Sequence, residues 1–210
     1  MCLAKPRYAI LLDGGFVKKK LLTSLGRHPT ADDIVAKCEA LQVLPEVADQ
    51  ELLRIYYYDA FPAAQRLQLP VSRASFNSGE TDRYRESQQL FDNLVLRPNF
   101  ALRMGQVAIT PQHWKLKDRV ARQLIREPRP LGDNDFVVDA QQKGVDMRIG
   151  MDMARLALRD LVRQVIVVTG DSDFVPDFKF VRREGVRVIL DMMGDSNGRI
   201  ELRQNSDIVI

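Results

Sequence analysis

The chain has 210 residues, 45% of them hydrophobic and 28% charged, with a formal net charge of +3. That composition suits a soluble globular protein with one sizeable domain, or one domain carrying an insertion. No stretch approaches the ~18 apolar residues of a membrane span, and Cys2 and Cys38 form no disulfide framework and lack metal-ligand spacing.

The opening Met-Cys-Leu-Ala-Lys-Pro-Arg has no apolar core of an export signal, so a cytoplasmic location is expected, with both cysteines as free thiols. Arg7 to Asp13 reads as a buried strand ending on a carboxylate, and Gly14-Gly15 allows a sharp turn beside whatever Asp13 binds. Phe16 to Leu25 follows as a short helix, with Val17, Leu21, Leu22 and Leu25 inward and Lys18, Lys19 and Lys20 toward solvent. Thr30 caps a second helix, with Asp32 and Asp33 in its first turn and Ile34, Val35, Cys38 and Leu41 on its apolar side. Pro45 ends it.

Glu51 to Asp59 is a second strand, also closed by an aspartate. Residues 60–80 read as loop, with turn signals at Pro62, Pro70 and Asn77-Ser78-Gly79. Thr81 caps a helix to about Leu96, and Phe100 to Ile109 is a strand. Gln112 to Arg126 has the pattern of an amphipathic helix, with Leu116, Val120 and Leu124 on one stripe and Lys115, Arg119, Arg122 and Arg126 on another. Residues 101–130 hold seven Lys/Arg against Asp118 and Glu127. Such an excess attracts polyanions, although a charged run is also an ordinary solvated helix face. Pro128 to Asp135 is loop and Phe136 to Asp139 a short extended piece.

Gly144 precedes a helix bearing Asp146 and Asp152. Asp152 shares a stripe with Val145, Ile149 and Leu156, so it needs a partner, a metal or an open cleft. Val165 to Val168 is a buried strand that breaks at Gly170 and runs into Asp171-Ser172-Asp173. Phe174, Phe178 and Val181 face inward on the next helix, stopped by Gly185. Val186 to Asp191 is the last clear strand, and the final Ile-Val-Ile adds an edge strand. Alternating strands and helices predict an α/β fold with a parallel, doubly wound sheet.

Ligands of such sheets sit outside the carboxyl ends of the strands, where Asp13, Asp59, Asp171, Asp173 and Asp191 fall. Carboxylates held together repel unless a cation joins them, and oxygen-only donors select Mg²⁺ or Mn²⁺, ions that commonly work on phosphate esters. His28 and His113 stand outside any motif, which argues against zinc. The glycine patterns of nucleotide-triphosphate and dinucleotide sites are absent. Plainer roles exist for each residue. Asp173 suits an N-cap for a helix beginning at Phe174, Asp171 and Asp13 suit turns, Asp146 suits a helix dipole, and Asp59 and Asp191 suit loops or caps. The shared location at one sheet edge is what argues for a site.

Three motifs carry a resemblance: Leu11-Leu12-Asp13-Gly14-Gly15-Phe16, Gln142-Lys143-Gly144-Val145-Asp146-Met147-Arg148, and Thr169-Gly170-Asp171-Ser172-Asp173-Phe174-Val175-Pro176. With them the chain resembles the NYN domain family, in the bacterial LabA-like branch of the PIN-like ribonuclease superfamily. The resemblance implies a Rossmann-like, PIN-type three-layer α/β/α fold over residues 1–210, with an inserted region at about 60–135 that holds the basic helix. It also implies a Mg²⁺- or Mn²⁺-dependent endoribonuclease that hydrolyses RNA with metal-activated water, not bound to a membrane, and it admits a homodimer. Asp13, Asp146, Asp171 and Asp173 would form the metal-holding cluster, Ser172 would orient a water or phosphate, and Asp152 would be a further ligand or neighbour. Lys115, Arg119, Arg122 and Arg126 would contact the RNA backbone. The chain departs from the family at Phe16, where many relatives carry Asn.

The rival is a PIN-like module that binds RNA or a protein without catalysis. A phosphatase of the haloacid dehalogenase type is set aside, since it needs a second aspartate where Gly15 stands. Trp114, Tyr57 and Phe16 are single aromatics that could stack a base, with core packing as their plainer role.

Overall fold

In the computed structural model, which describes residues 5–195 and 200–210, the chain runs β1 (Arg7–Asp13), α1 (Gly14–Leu25), α2 (Ala31–Gln42), β2 (Glu51–Phe61), β3 (Arg66–Gln68), β4 (Ser75–Asn77), α3 (Asp82–Leu94), β5 (Phe100–Leu116) and α4 (Asp118–Arg126). It continues with β6 (Phe136–Lys143), α5 (Val145–Leu158), β7 (Gln164–Val168), α6 (Val175–Arg183), β8 (Arg187–Asp191), α7 (Ile200–Gln204) and β9 (Ile208–Val209). Two units result. One comprises Met1–Asp59, Gln89–Gly105 and Gly144–Ile210, the other Ala60–Gln88 and Gln106–Lys143.

The first unit holds the sheet order β5-β2-β1-β7-β8-β9. Four of its pairings, β1 with β2, β1 with β7, β7 with β8 and β8 with β9, are parallel. Ala9 to Leu12 of β1 and Ile166 of β7 are wholly buried, as a strand covered on both faces requires. Alternate residues divide two cores. Tyr8, Ile10, Leu12, Tyr57, Ile166 and Val168 pack with Val17, Ile34, Cys38, Leu41 and Phe91 from α1, α2 and α3. Tyr58 points the other way, and its hydroxyl donates to Asp152 on α5, so α5 covers the opposite face. This mixed α/β sheet flanked by helices is the predicted class, and β9 is the predicted edge strand. The strand order switches sides at β1, since β2 lies on one side and β7 on the other. The carboxyl ends of β1 and β7 therefore bound a switch-point crevice.

The second unit differs from its sequence reading in three places, one being that β6 runs on to Lys143 rather than ending at Asp139. Residues 60–80 are not all loop, because β3 and β4 form an antiparallel pair with Leu67 opposite Phe76. The basic helix starts at Asp118 rather than Gln112, because Trp114, Lys115 and Leu116 are committed to β5, opposite Val138, Val137 and Phe136 of β6. Ladder pairing overrides the helical spacing there, and Lys115 lies on a strand apart from Arg119, Arg122 and Arg126.

Cys38 is a buried free thiol, pushed up to about 12 by burial, while Cys2 lies outside the described residues. Among the described residues no helix is long and apolar enough to cross a membrane.

Candidate active site at the carboxyl edge of the sheet

Asp13 closes β1 and caps α1 at once, its Oδ1 accepting from the Phe16 amide at 3.1 Å. Its Oδ2 accepts from the Thr169 hydroxyl, 3.0 Å away at the end of β7. That hydroxyl in turn accepts from the Asp171 amide at 3.1 Å. Wholly buried Thr169 thus ties the two strand ends together. A hydroxyl residue directly after Val-Ile-Val-Val was the signal for it in the sequence.

Gly14 follows with a different purpose from the one its sequence suggests. Its φ is not positive. A Cβ there would stand 2.6 Å from the Tyr58 carbonyl oxygen and 2.8 Å from both Asp59 Oδ2 and Tyr57 Cζ. The glycine permits close approach of α1 to the end of β2 rather than a sharp turn.

Asp171, rather than Asp173, is the capping residue. Its Oδ1 accepts from the Asp173 amide at 3.0 Å, closing a 3-10 turn over Ser172–Phe174. The helix α6 begins at Val175 with no side-chain cap bond. Asp173 is exposed at that turn, and Asp146 is exposed in the first turn of α5. These carboxylates share one electrostatic field. Asp13 is held above its ordinary pKa by burial first, with Asp146 and Asp171 adding to the effect. Asp146 is raised by desolvation and then by Asp171 and Asp173.

Asp177 on α6, not selected from the sequence, belongs to the same field, raised by desolvation and by Asp146. Gly150, one turn after Asp146, leaves room for it, since a Cβ there would lie 2.8 Å from Asp177 Oδ1. Asp173 and Asp177 stand four apart, as do Asp146 and Gly150, a spacing that could have revealed the pairing.

The remaining strand-end aspartates are neither loop residues nor caps. Asp59 is fully buried, 2.6 Å from Lys18 Nζ, and accepts from the Tyr57 hydroxyl at 3.1 Å. Asp191 is buried with Lys37 Nζ at 2.5 Å and the Met193 amide at 2.7 Å. So Lys18 does not face solvent alone, and Lys20 pairs with Asp195 at 2.7 Å. Asp152 has found its partners in the Tyr58 hydroxyl at 3.0 Å and Arg103 Nε at 2.9 Å. Arg103 and Arg129 drop out of the basic excess through ion pairs with Asp152 and Asp135, while Lys117 keeps its charge with its Nζ on the Asn134 carbonyl.

Among the described residues no lysine or arginine pairs with Asp13, Asp146, Asp171, Asp173 or Asp177. Among them, too, no three His, Cys, Asp or Glu side chains converge closely enough to hold a metal as they stand. The donor chemistry nevertheless suits a hard cation: all oxygen, mutually repelling, at a switch point. Asp13 is fixed from two sides and Asp171 by its cap bond, whereas Asp146 and Asp173 are exposed and can turn about their side-chain bonds. Phe16, in place of Asn, has its ring against Gly170, where a Cβ would meet Phe16 Cε2 at 2.5 Å.

Comparisons with known proteins give a family and a fold. The NYN domain family model matches residues 27–210, which include Asp146, Asp171 and Asp173 but begin after Asp13. A crystal structure of a Vibrio parahaemolyticus protein of unknown function is similar over 100% of this chain and 94% of that one, with a TM-score of 0.54 and 14% identity. At that identity the likeness shows the fold alone. No curated protein matches the chain significantly.

Proposed function

The chain belongs to the NYN domain family, a PIN-like nuclease family, and from that premise we propose that it is a metal-dependent endoribonuclease of the LabA-like branch. The observation that supports the reading is the set Asp13, Asp146, Asp171 and Asp173 at the β1/β7 switch point, where Asp13 feels the charges of Asp146 and Asp171, and Asp146 those of Asp171 and Asp173. These four would hold Mg²⁺ or Mn²⁺ through carboxylate oxygens. When bound, the ion supplies an activated water and neutralises charge developing on the phosphodiester.

The chain's own residues set the frame for that chemistry. Thr169 keeps Asp13 and the Asp171 backbone in register across the two strands. The Asp171 cap holds the turn that presents Asp173, with Ser172 between them, placed where it would orient a water or phosphate. Asp177 extends the negative field along α6. Arg119, Arg122 and Arg126 line one face of α4 and suit contact with RNA phosphates, to which Lys115 adds from β5. Each such contact steepens the fall of affinity with salt.

A second reading, a module that binds RNA or a protein without cleaving, is favoured by the lack of three convergent donors among the described residues and by Phe16 on Gly170. The deciding experiment incubates single-stranded and structured RNA with the natural chain and with Asp171→Asn, in Mg²⁺, Mn²⁺ or chelator. Asn retains a capping oxygen, so the turn survives. Cleavage lost in the variant and in chelator supports the nuclease; equal cleavage by both refutes the site. Binding without cleavage under every condition establishes the module instead.

A further inference from the structure

We propose that the second unit carries a stacking site for one unpaired nucleotide of a single-stranded RNA, built around Trp114; the proposal rests on the reading of the chain as a protein that acts on RNA. A cleft of about 690 Å³ lies there, lined by Arg66, Gln68, Arg73, His113, Trp114 and Phe136 among others. Its volume falls in the range of small-molecule sites, ~300–1,000 Å³. None of its described lining residues is a carboxylate, and two are exposed arginines. That is the chemistry of a phosphate beside an aromatic face.

The indole is held for the purpose. Trp114 Nε1 donates to the Gln68 carbonyl at 2.8 Å, and the ring meets Phe76 edge-on, centroids 5.3 Å apart at 62°. Its plane is thus fixed at the polar edge and on one side while the residue stays half-buried. A pre-set ring forfeits little freedom when a base stacks on it. The other two aromatics singled out in the sequence are taken: Tyr57 is wholly buried with its hydroxyl on Asp59, and Phe16 packs on Gly170. Arg73 and His113 both hold a left-handed backbone, with φ of 63° at each. Such conformations are uncommon outside glycine and gather at functional sites. A duplex hides its base faces, so the occupant is single-stranded.

Trp114 is the chain's only tryptophan, so its fluorescence reports on this cleft alone. The test titrates the full chain with a short oligoadenylate in chelator, following tryptophan emission together with the anisotropy of a labelled copy. Saturable quenching that tracks anisotropy is expected, with a blunt-ended duplex giving much less. Arg66→Gln and Arg73→Gln, both at exposed positions, should each weaken binding about three- to tenfold and flatten its salt dependence. Trp114→Ala should weaken it about five- to a hundredfold. Trp114→Phe, which keeps an aromatic face, recovers most of the affinity and guards against a variant that simply fails to fold. Binding without quenching, quenching indifferent to both arginines, equal quenching by an acidic peptide, or no RNA binding at all overturns the proposal. Cleavage that persists while Trp114 stays silent removes this site and leaves the nuclease standing. Quenching without cleavage does the reverse.

Discussion

A single methyl group at position 14 tests how the aspartate edge is assembled. In Gly14→Ala the new Cβ meets the Tyr58 carbonyl oxygen at 2.6 Å, with Asp59 Oδ2 and Tyr57 Cζ both at 2.8 Å. Ordinary contact starts at 3.4 Å, so α1 must retreat by roughly 0.8 Å from the end of β2. One obstacle is backbone, and the other two are buried groups bonded to each other, so none can swing aside cheaply. Overpacking of this kind costs up to about 3 kcal/mol. In a chain of this size each kcal/mol lowers the Tm by about 2–4 °C, so a fall of up to about 6–12 °C is expected. The assay is thermal unfolding by circular dichroism, with Gly132→Ala as control. Nothing lies within 4 Å of a Cβ at Gly132, and its φ of −119° suits alanine. That change should be neutral or stabilising by up to ~1 kcal/mol. A Gly14→Ala protein melting within ~2 °C of the natural chain refutes the close-approach argument.

Two further outcomes follow from the charges. Lys18→Met leaves the buried Asp59 carboxylate without its ammonium and should cost about 3 kcal/mol in urea unfolding, the lower end for a broken buried pair because Lys18 is partly exposed. Lys19→Met, at an exposed position, should stay within ~0.5 kcal/mol, and equal losses in the two would show the pair to be idle. Asp146 is held above its ordinary pKa, so folding favours its protonated form, and stability is lost as pH rises through that raised value. Asp146→Asn should therefore melt above the natural chain at about pH 8 and lose that advantage below about pH 4. A difference independent of pH would show that ionisation of Asp146 does not strain the fold.

The sheet was legible because β1, β2, β7 and β8 carry short apolar runs that two covered faces demand. Asp13 stood out as the polar residue that closes β1, Asp171 and Asp173 as the carboxylates that follow β7, and Asp146 through the motif that opens α5. What escaped was tertiary. Helical spacing in residues 112–117 was overruled by pairing with β6, which no local window contains. Lys18 read as solvent-facing because its partner, Asp59, lies far along the chain, and the same distance hid the pairing of Lys37 with Asp191. Asp177 escaped because a carboxylate in the first turn of a helix already has a sufficient local reason to be there.

The pairing of Asp59 with Lys18 and of Asp191 with Lys37 also changes what a strand-end aspartate means in this fold. The strands supply negative charge along most of the sheet edge without discrimination. Helices α1 and α2 then act as a mask, silencing it everywhere except above β1 and β7. The charge offered to a cation is therefore written in the helices, by where they withhold a lysine. Moving one lysine on that layer could blind the edge, or open a second window in it, with every aspartate left in place.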